Sequence, residues 1–214
     1  MKNVRIYFKK TNRMKFVSHL DMTRVMSRLI KKSGIPIWYT EGFNKHIYMN
    51  FALPLSLGFE GFGEIMDIRL VDEEYKCEDV LINLQKVCPE GIEITAVCDP
   101  VKATKEIGFA EYTLEFDEID EHLSGKLEGF FALESVLCQK KGKKGKIKEI
   151  DIMPKIRKSE IVDNKINLTL AAGSEDNLNP TLIMDAFFEK YSMAPIFYSV
   201  SRYTILDKQG NKFL

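Results

Sequence analysis

The spacing of apolar residues in the first 99 positions switches repeatedly between the period of a β-strand and that of an α-helix. Residues 4–8 alternate apolar and polar side chains, which predicts a half-buried strand. Ser18 then precedes a helix, with Asp21 as its acidic capping partner. The stripe of apolar residues in 22–30 recurs at helical spacing, and Gly34 ends the helix.

The rest of this half completes a compact α+β pattern. Extended segments are predicted at Ile35–Tyr39, His46–Ala52, Glu64–Val71 and Ile92–Val97, and a second helix at Cys77–Val87. We interpret this pattern as the order β-α-β-β-α-β of a ferredoxin-like domain, in which two helices cover one face of an antiparallel sheet.

The second half repeats this order of elements, although the two halves share no evident sequence identity. Strands are predicted at Glu111–Phe116, Val136–Gln139, Lys146–Met153, Lys165–Ala171 and Phe197–Leu206, and helices around 123–131 and from Asn179-Pro180 onward. We therefore expect an α+β protein of two tandem ferredoxin-like subdomains with antiparallel sheets. The predicted domains are residues 1–99 and 110–214, with residues 100–109 as the connector.

The formal net charge is zero, but the charges are separated along the chain. Residues 1–50 contain 11 basic and 2 acidic residues, a net charge of +9. Residues 51–99 contain 3 basic and 11 acidic residues, a net charge of −8. A uniformly basic nucleic-acid-binding protein is therefore excluded, whereas a locally basic surface is not.

Several other classes of protein are disfavoured. The first ten residues lack the apolar core of a signal peptide, and no apolar run approaches the roughly 18 residues of a membrane span. The four cysteines, at 77, 88, 98 and 138, have neither zinc-site nor iron–sulfur spacing. We expect a cytoplasmic protein with no membrane contact, no metal site and no cofactor of its own.

The start of the first helix is a candidate site for an anionic substrate. Asp21, Arg24 and Arg28 share one polar stripe, and His19 lies in the first turn beside free backbone N–H groups. Ser18 belongs to the same candidate site. The alternative is an ordinary solvated helix face with a capping box, which the spacing alone favours.

A second histidine, His46, ends the loop that begins at Gly42 and also contains Asn44. A plain β-turn explains this loop equally well. If the fold brings His19 and His46 together, the two imidazoles would be candidate catalytic groups for acid–base chemistry near neutral pH. His122, in an acidic helix, is expected to be inert.

Two further features suggest contact with RNA. Arg5, Tyr7 and Lys9 alternate on one strand face, and Tyr48 lies on another, which is the mixture of rings and cations found in single-strand binders. Ordinary strand tyrosines are the alternative. The second feature is a lysine-rich hairpin, whose lysines either bind a polyanion or are simply solvated. These lysines are Lys140, Lys141, Lys143, Lys144, Lys146 and Lys148.

Four motifs in combination carry a family resemblance. They are F-V-S-H-L-D-M-T-R at 16–24, G-F-N-K-H at 42–46, F-A-L-P-L-S-L-G at 51–58 and G-E-I-M-D-I at 63–68. The chain resembles the bacterial radical-SAM-linked proteins, a domain family of unknown function found beside or fused to radical S-adenosylmethionine (SAM) enzymes. Similar proteins have prolines around the second histidine, where this chain has Lys45 and Ile47.

The resemblance implies association with a radical SAM enzyme, as a module that presents its substrate. The chain lacks cluster cysteines, so radical chemistry would take place in the partner. Our first hypothesis is an accessory protein, not catalytic by itself, that binds RNA or another anionic substrate. A metal-independent endoribonuclease using His19 or His46, by analogy with CRISPR repeat-processing enzymes, is less favoured because their C-terminal glycine-rich loop is missing. A scaffold that contacts only protein is the third hypothesis.

Overall fold

The computed structural model describes residues 1–141, 147–173 and 176–213. Its helices are α1 (His19–Ser33), α2 (Cys77–Gln85), α3 (Glu121–Phe131) and α4 (Pro180–Lys190). Its strands are β1 (Lys2–Lys10), β2 (Met49–Phe51), β3 (Glu60–Leu70), β4 (Ile92–Cys98), β5 (Ile107–Phe116), β6 (Leu137–Lys141), β7 (Ile147–Asp151), β8 (Ile156–Val162), β9 (Lys165–Ala171) and β10 (Tyr198–Asp207).

Eight of these strands form one sheet in the order β4-β1-β3-β10-β5-β9-β8, with β2 paired to β3. Among the described strands every pairing is antiparallel except that of β3 with β10. The protein is therefore a mixed α/β fold with a mostly antiparallel sheet, as the sequence predicts. No helix in the described residues is long and apolar enough to cross a membrane.

The first half follows the predicted order of elements, except that the extended segment predicted at Ile35–Tyr39 forms only isolated bridges, from Ile37 to Leu70 and from Tyr39 to Ile47. Ser18 caps α1, and Gly34 ends it with a positive φ of 73°, a conformation that suits glycine. The apolar side of α1 packs with α2 against β1, β3 and β4 in one buried cluster, which includes Met26, Val80 and Ile6. The helical stripe read from the sequence is therefore the buried face of α1.

The second half differs from the prediction in one strand. The predicted strands near 136–139 and 146–153 exist, but as β6 and β7 they pair with each other in a separate two-stranded sheet. The place beside β9 is taken by β8, which the sequence analysis missed. Because β8 lies at the sheet edge and most of its side chains are partly or fully exposed, it has no clear period-two apolar pattern.

The two halves meet where β3 runs parallel to β10, with Glu60 opposite Ser201 and Gly61 opposite Arg202. Gly63 permits the close approach, since a Cβ atom there would lie 2.6 Å from the Tyr203 carbonyl oxygen. The apolar loop before β3 also bridges the halves, because its buried Leu53 and Leu55 belong to the cluster that includes α3 and α4.

Candidate functional site

The first turn of α1 is tied together by its own side chains. Ser18 Oγ accepts a hydrogen bond from the Asp21 N–H at 3.2 Å and donates to Asp21 Oδ2 at 2.8 Å. Arg24 Nη1 donates to Asp21 Oδ1 at 2.8 Å. The hydrogen bond from Ser18, together with Arg24, holds the pKa of Asp21 below its usual value. Ser18 and Asp21 therefore form the capping arrangement, and Arg28 is left as an exposed cation on the same helix.

His19 is exposed at the first position of α1 and lies against β2. Its ring centroid is 5.1 Å from that of Phe51, in an edge-on arrangement at 79°. His46 is held within its own loop, where its Nδ1 is 3.1 Å from both the Asn44 carbonyl oxygen and Thr40 Oγ1. Each imidazole thus has its own local environment, and the predicted pairing of the two stays a prediction.

The two contacts at His46 Nδ1 suit different tautomers of the neutral ring. The Asn44 carbonyl oxygen only accepts hydrogen bonds and needs the proton on Nδ1, whereas the Thr40 hydroxyl can donate to an unprotonated Nδ1. The His46 side chain is exposed.

Arg5 was predicted to lie on an exposed face, and the structure instead buries it. It is 1% exposed, and its Nε and Nη2 donate to the two carboxylate oxygens of Asp67 at 2.8 and 2.9 Å. Nη2 also donates to the Lys102 carbonyl oxygen at 2.9 Å, and the guanidinium carbon lies 4.8 Å from the centre of the Phe213 ring. Segments distant in sequence therefore cover the strand face that the alternation assigned to solvent.

Lys9 and Tyr48, from the predicted RNA-binding face, also have partners within the protein, and Tyr7 is partly buried. Lys9 pairs with Glu93 at 3.1 Å. Tyr48 packs edge-on against Trp38, and the Arg69 guanidinium lies 4.4 Å from the centre of the Tyr48 ring. Tyr7 is half-buried, with its hydroxyl inside the protein. These contacts leave the sheet face with fewer free rings and cations than the sequence suggests.

The structure places exposed apolar side chains elsewhere, beside α1. Phe16 and Leu20 are 68% and 62% exposed, and Leu57 is 62% exposed on the following loop. The Gly58 N–H donates to the Lys15 carbonyl oxygen at 2.8 Å, which brings Leu57 next to Phe16. We call the surface formed by Arg13, Lys15, Phe16, Leu20 and Leu57 the α1 surface.

Sequence reasoning missed the apolar members of the α1 surface because they lie outside the buried stripe of α1. The sequence did contain a signal for Phe16, because Arg13 and Lys15 lie just before it. Charged residues are rarely buried, so an aromatic residue among them is expected at the surface. Phe43, which is fully exposed beside Lys45, repeats this signal in the histidine loop.

The lysine-rich hairpin is formed by β6 and β7. In its register Lys140 lies opposite Lys148. Asp151 anchors the base, because its Oδ1 accepts from the Val136 and Met153 N–H groups at 3.0 and 3.1 Å. These hydrogen bonds, that of Val136 first, hold the pKa of Asp151 below its usual value. Lys143, Lys144 and Lys146 lie outside the described residues.

The motifs at 51–58 and 63–68 meet in a buried polar cluster between the halves. Arg202 Nε donates to Glu64 Oε1 at 2.9 Å, and its Nη2 donates to Glu64 Oε2 at 2.5 Å and to the Leu53 carbonyl oxygen at 2.6 Å. Lys10 is buried nearby, and its Nζ donates to the Val17 carbonyl oxygen at 2.9 Å. Burial lowers the pKa of Lys10, against an opposing effect of Glu64. These motif residues therefore join the two halves.

The described part of the chain contains no group of three or more His, Cys, Asp or Glu side chains placed to hold a metal ion. All four cysteines are free thiols. Burial is the main cause that raises the pKa of each of them. At neutral pH these thiols are therefore protonated and poorly nucleophilic.

Fold and surface together define a mixed α/β protein with an exposed apolar and basic surface beside its first helix. Residues 3–180 match the family described as an uncharacterized protein conserved in bacteria (DUF2344), and the chain belongs to that family. No curated protein matches the sequence.

A solved structure with a similar chain length is titled "Crystal structure of putative glycine cleavage system transcriptional repressor". It is 14% identical, and the match covers 94% of this chain and 96% of that chain, with a TM-score of 0.24. A TM-score this low supports no conclusion about fold or function.

Proposed function

We propose that this chain is an RNA-binding module, not catalytic by itself, that holds its polyanionic substrate for a partner radical SAM enzyme in the cytoplasm. The observation that carries the proposal is the α1 surface, where an exposed phenylalanine and two exposed leucines lie among cations. Single-stranded nucleic acids bind such surfaces because bases stack on rings while phosphates pair with Lys and Arg.

Phe16 is the residue on which we expect a base to stack. Its ring is largely exposed, and Lys15 Nζ lies 5.5 Å from the ring centre. A base on the free side of the ring would place its phosphates near Arg13, which is exposed, and Lys15. The high positive charge of residues 1–50 favours the approach of a polyanion to this side of the protein.

The lysine-rich hairpin supplies a second contact. Between 139 and 148 the lysines follow one another with no acidic residue among them, and β6 pairs with β7 across this segment. We therefore assign the hairpin the role of an electrostatic arm that contacts the RNA backbone without reading its sequence.

The fold fits two ferredoxin-like units joined edge to edge. The order β4-β1-β3-β2 in the first half matches β10-β5-β9-β8 in the second, with one helix after the first strand and one before the last strand of each unit. On this interpretation β6 and β7 are an insertion between α3 and β8. The RNA-binding groups then lie on the first unit and on the insertion in the second.

The partnership with a radical SAM enzyme rests on the resemblance carried by the motifs at 16–24, 42–46, 51–58 and 63–68. Co-purification of a tagged chain with a radical SAM enzyme from its native cell tests this part alone. If that enzyme is recovered while the purified chain binds no RNA, the scaffold hypothesis replaces the RNA-binding one.

RNA binding is tested by fluorescence anisotropy with a labelled single-stranded RNA of mixed sequence, using the full chain at about 50 and about 200 mM salt. We expect affinity to fall at least about tenfold between these concentrations. Phe16→Ala should weaken binding by about tenfold, since one stacked base contributes roughly 1–3 kcal/mol. The matched control is Phe197→Ala, which removes a phenylalanine of similar exposure, 77%, from the second half.

A variant with all six hairpin lysines changed to Gln should show a smaller salt dependence, because fewer phosphate contacts remain. Lys208→Gln, at an exposed lysine of the second half, is its control. Absence of binding at low salt, or equal losses in Phe16→Ala and Phe197→Ala, would count against the proposal.

A metal-independent ribonuclease is the second candidate, because His46 is an exposed imidazole oriented through Nδ1 by Asn44 and Thr40, and histidine is the commonest general acid or base. Incubation of RNA with the purified chain in chelator tests it. Cleavage that His46→Ala or His19→Ala abolishes would establish the enzyme, and the same background in wild type and variants would exclude it.

A further inference from the structure

We propose that the edge strand β8 and the groove beside it bind an extended protein segment in which basic and apolar residues alternate. The segment adds one more strand to the sheet, on the side of β8 that faces away from β9. This surface belongs to the second half of the protein, and the inference does not depend on the proposed RNA binding.

The sheet ends in two edge strands, β4 and β8, whose outer edges differ. At the β4 edge, Gln85 Nε2 from α2 donates to the Ile94 carbonyl oxygen at 2.9 Å. Within the described residues, no side chain makes such a hydrogen bond to the backbone of residues 157–162. Every second residue of an antiparallel pair directs its N–H and C=O groups away from the partner strand. β8 therefore offers backbone donors and acceptors to an added strand, whereas the β4 edge is partly capped.

The local structure of β8 also suits the addition of a strand. From Lys158 to Val162 its pairing with β9 proceeds one residue at a time without a bulge. This stretch contains neither proline nor glycine, the two residues that commonly interrupt the edge of a sheet. The outer edge of β8 is therefore regular over five residues, about the length of an average strand.

A groove of about 330 Å³ lies between β8 and the C-terminal end of α3. We call it the β8 groove, and its lining residues are Glu128, Phe131, Ala132, Ser159, Glu160 and Ile161. Strand addition to a sheet edge, with pockets that receive alternate side chains, is the way in which PDZ and PTB domains bind peptides. The β8 groove supplies such a pocket beside the edge.

The two faces of β8 determine which side chains the added strand carries. Ile161 lies opposite Ile166, which is completely buried in the core, so Ile161 faces the helices. Glu160 precedes it and faces the open side of the sheet. The side chains of an added strand alternate in the same way. Those on the helix side meet the partly exposed Phe131 and Ile161 and should be apolar, and those on the other side meet Glu160.

The charges at this edge favour basic side chains. Glu128 and Glu160 are exposed, and none of the described residues that line the β8 groove is basic. Residues 117–134 contain six acidic residues and one lysine, a net charge of −5. Asn164 Nδ2 donates to the Asp117 carbonyl oxygen at 3.0 Å, which places the start of this acidic segment beside the end of β8.

The two cations of β8 leave this acidic edge accessible. The Arg157 guanidinium reaches across the sheet and lies 4.7 Å from the centre of the Phe109 ring on β5. Lys158 pairs with Glu160 at 2.9 Å, but both side chains are exposed. Exposed ion pairs contribute little free energy, so Glu160 can exchange Lys158 for a cation of the partner.

The test is fluorescence anisotropy of the full wild-type chain with labelled synthetic peptides at low salt, about 50 mM. The probe is K-V-K-I-K-V-K, and the comparison peptides are E-V-E-I-E-V-E and K-V-K-P-K-V-K. We expect saturable binding of the probe. Both comparison peptides should bind at least about tenfold more weakly, the first because its charges are repelled and the second because proline cannot donate to the strand ladder. No saturable binding of the probe up to about 1 mM, or equal binding of the proline peptide, would overturn the proposal.

Variants of the chain locate the bound peptide. Ala132→Trp, at an exposed position in the lining, should fill the groove and weaken binding by at least about tenfold. Glu128→Lys should weaken it by about fivefold, since an attraction at an exposed site becomes a repulsion. The matched controls are Ala194→Trp and Glu90→Lys, at exposed residues outside the β8 groove.

Hydrogen exchange distinguishes an added strand from a purely electrostatic contact. The bound probe should slow amide exchange in β8 and leave exchange in β4, the opposite edge strand, unchanged. Unchanged exchange in β8 would contradict strand addition. Equal affinity of Ala132→Trp and Ala194→Trp, with circular dichroism showing both folded, would place the peptide elsewhere and overturn the assignment.

Discussion

Arg202 on β10 holds Glu64 on β3 through two hydrogen bonds across 138 positions of sequence. Both side chains are almost completely buried, and Arg202 also donates to the Leu53 carbonyl oxygen. Since β3 and β10 share only a short parallel pairing, this buried ion pair adds a polar contact that fixes one half of the protein to the other.

Replacing Arg202 by Met should lower the free energy of unfolding by about 3–5 kcal/mol, because Glu64 would remain buried without its partner. Urea unfolding followed by circular dichroism measures the loss. Lys158→Met, which breaks the exposed pair with Glu160, is the control and should cost no more than about 1 kcal/mol. Equal losses in the two variants would show that the buried pair has no special role.

The junction also depends on a glycine. A Cβ atom at Gly63 would lie 2.6 Å from the Tyr203 carbonyl oxygen, a backbone atom that cannot move aside cheaply. Gly63→Ala should therefore destabilise the protein by about 1–3 kcal/mol, as overpacking does elsewhere.

Gly125, inside α3, is the matched control for this substitution, because a Cβ atom there meets nothing within 4 Å. Gly125→Ala should raise the free energy of unfolding by about 0.5–1 kcal/mol through better helix propensity. The change in the free energy of unfolding, measured by thermal and urea unfolding, should thus have opposite signs in the two variants. A loss of stability in both would contradict this account.

The elements that the sequence predicted well are those that local patterns define. The α1 helix combines an N-cap, an apolar stripe and a C-terminal glycine within 17 residues, and all three occur as predicted. The edge strand β8 has no such pattern, because few of its side chains face the core. Its existence depends on pairing with β9, which single-sequence periodicity does not report.

The residues of the candidate site also divide into those that local sequence predicts and those whose environment depends on distant parts of the chain. The capping role of Ser18 and Asp21 was visible in the sequence as the alternative to an anion site. The burial of Arg5 was not, because its partners Asp67, Lys102 and Phe213 are far away in sequence. Period-two alternation distinguishes the faces of a strand, but it does not tell whether other segments cover the outer face.

Ser18 should prove important for stability as the cap of α1. Its Oγ accepts the Asp21 N–H and donates to the Asp21 carboxylate, so Ser18→Ala should cost about 1 kcal/mol. Ser27→Ala, in the middle of the same helix, should be neutral or slightly stabilising. Chemical denaturation of both variants tests this, and an unchanged midpoint in Ser18→Ala would remove the cap from the explanation of α1.

Asp207 should make stability depend on pH in a defined acid window. Its Oδ2 accepts from Lys102 Nζ at 2.5 Å, and its Oδ1 accepts from the Asn211 N–H at 2.8 Å. The Lys102 hydrogen bond is the main cause that lowers the pKa of Asp207 to about 2, from about 3.9 in an unfolded chain.

Because this pKa is lower in the folded state, the carboxylate stabilises the fold above about pH 4, and the contribution is lost as the pH falls toward about 2. Asp207→Asn, which does not titrate, should be less stable than wild type at pH 5 and should lose less stability between about pH 4 and about pH 2. Urea unfolding at several pH values measures both slopes. Identical slopes would mean that the pKa of Asp207 is the same in the folded and the unfolded state. The contact with Lys102 would then contribute nothing to holding residues 100–106 against β10.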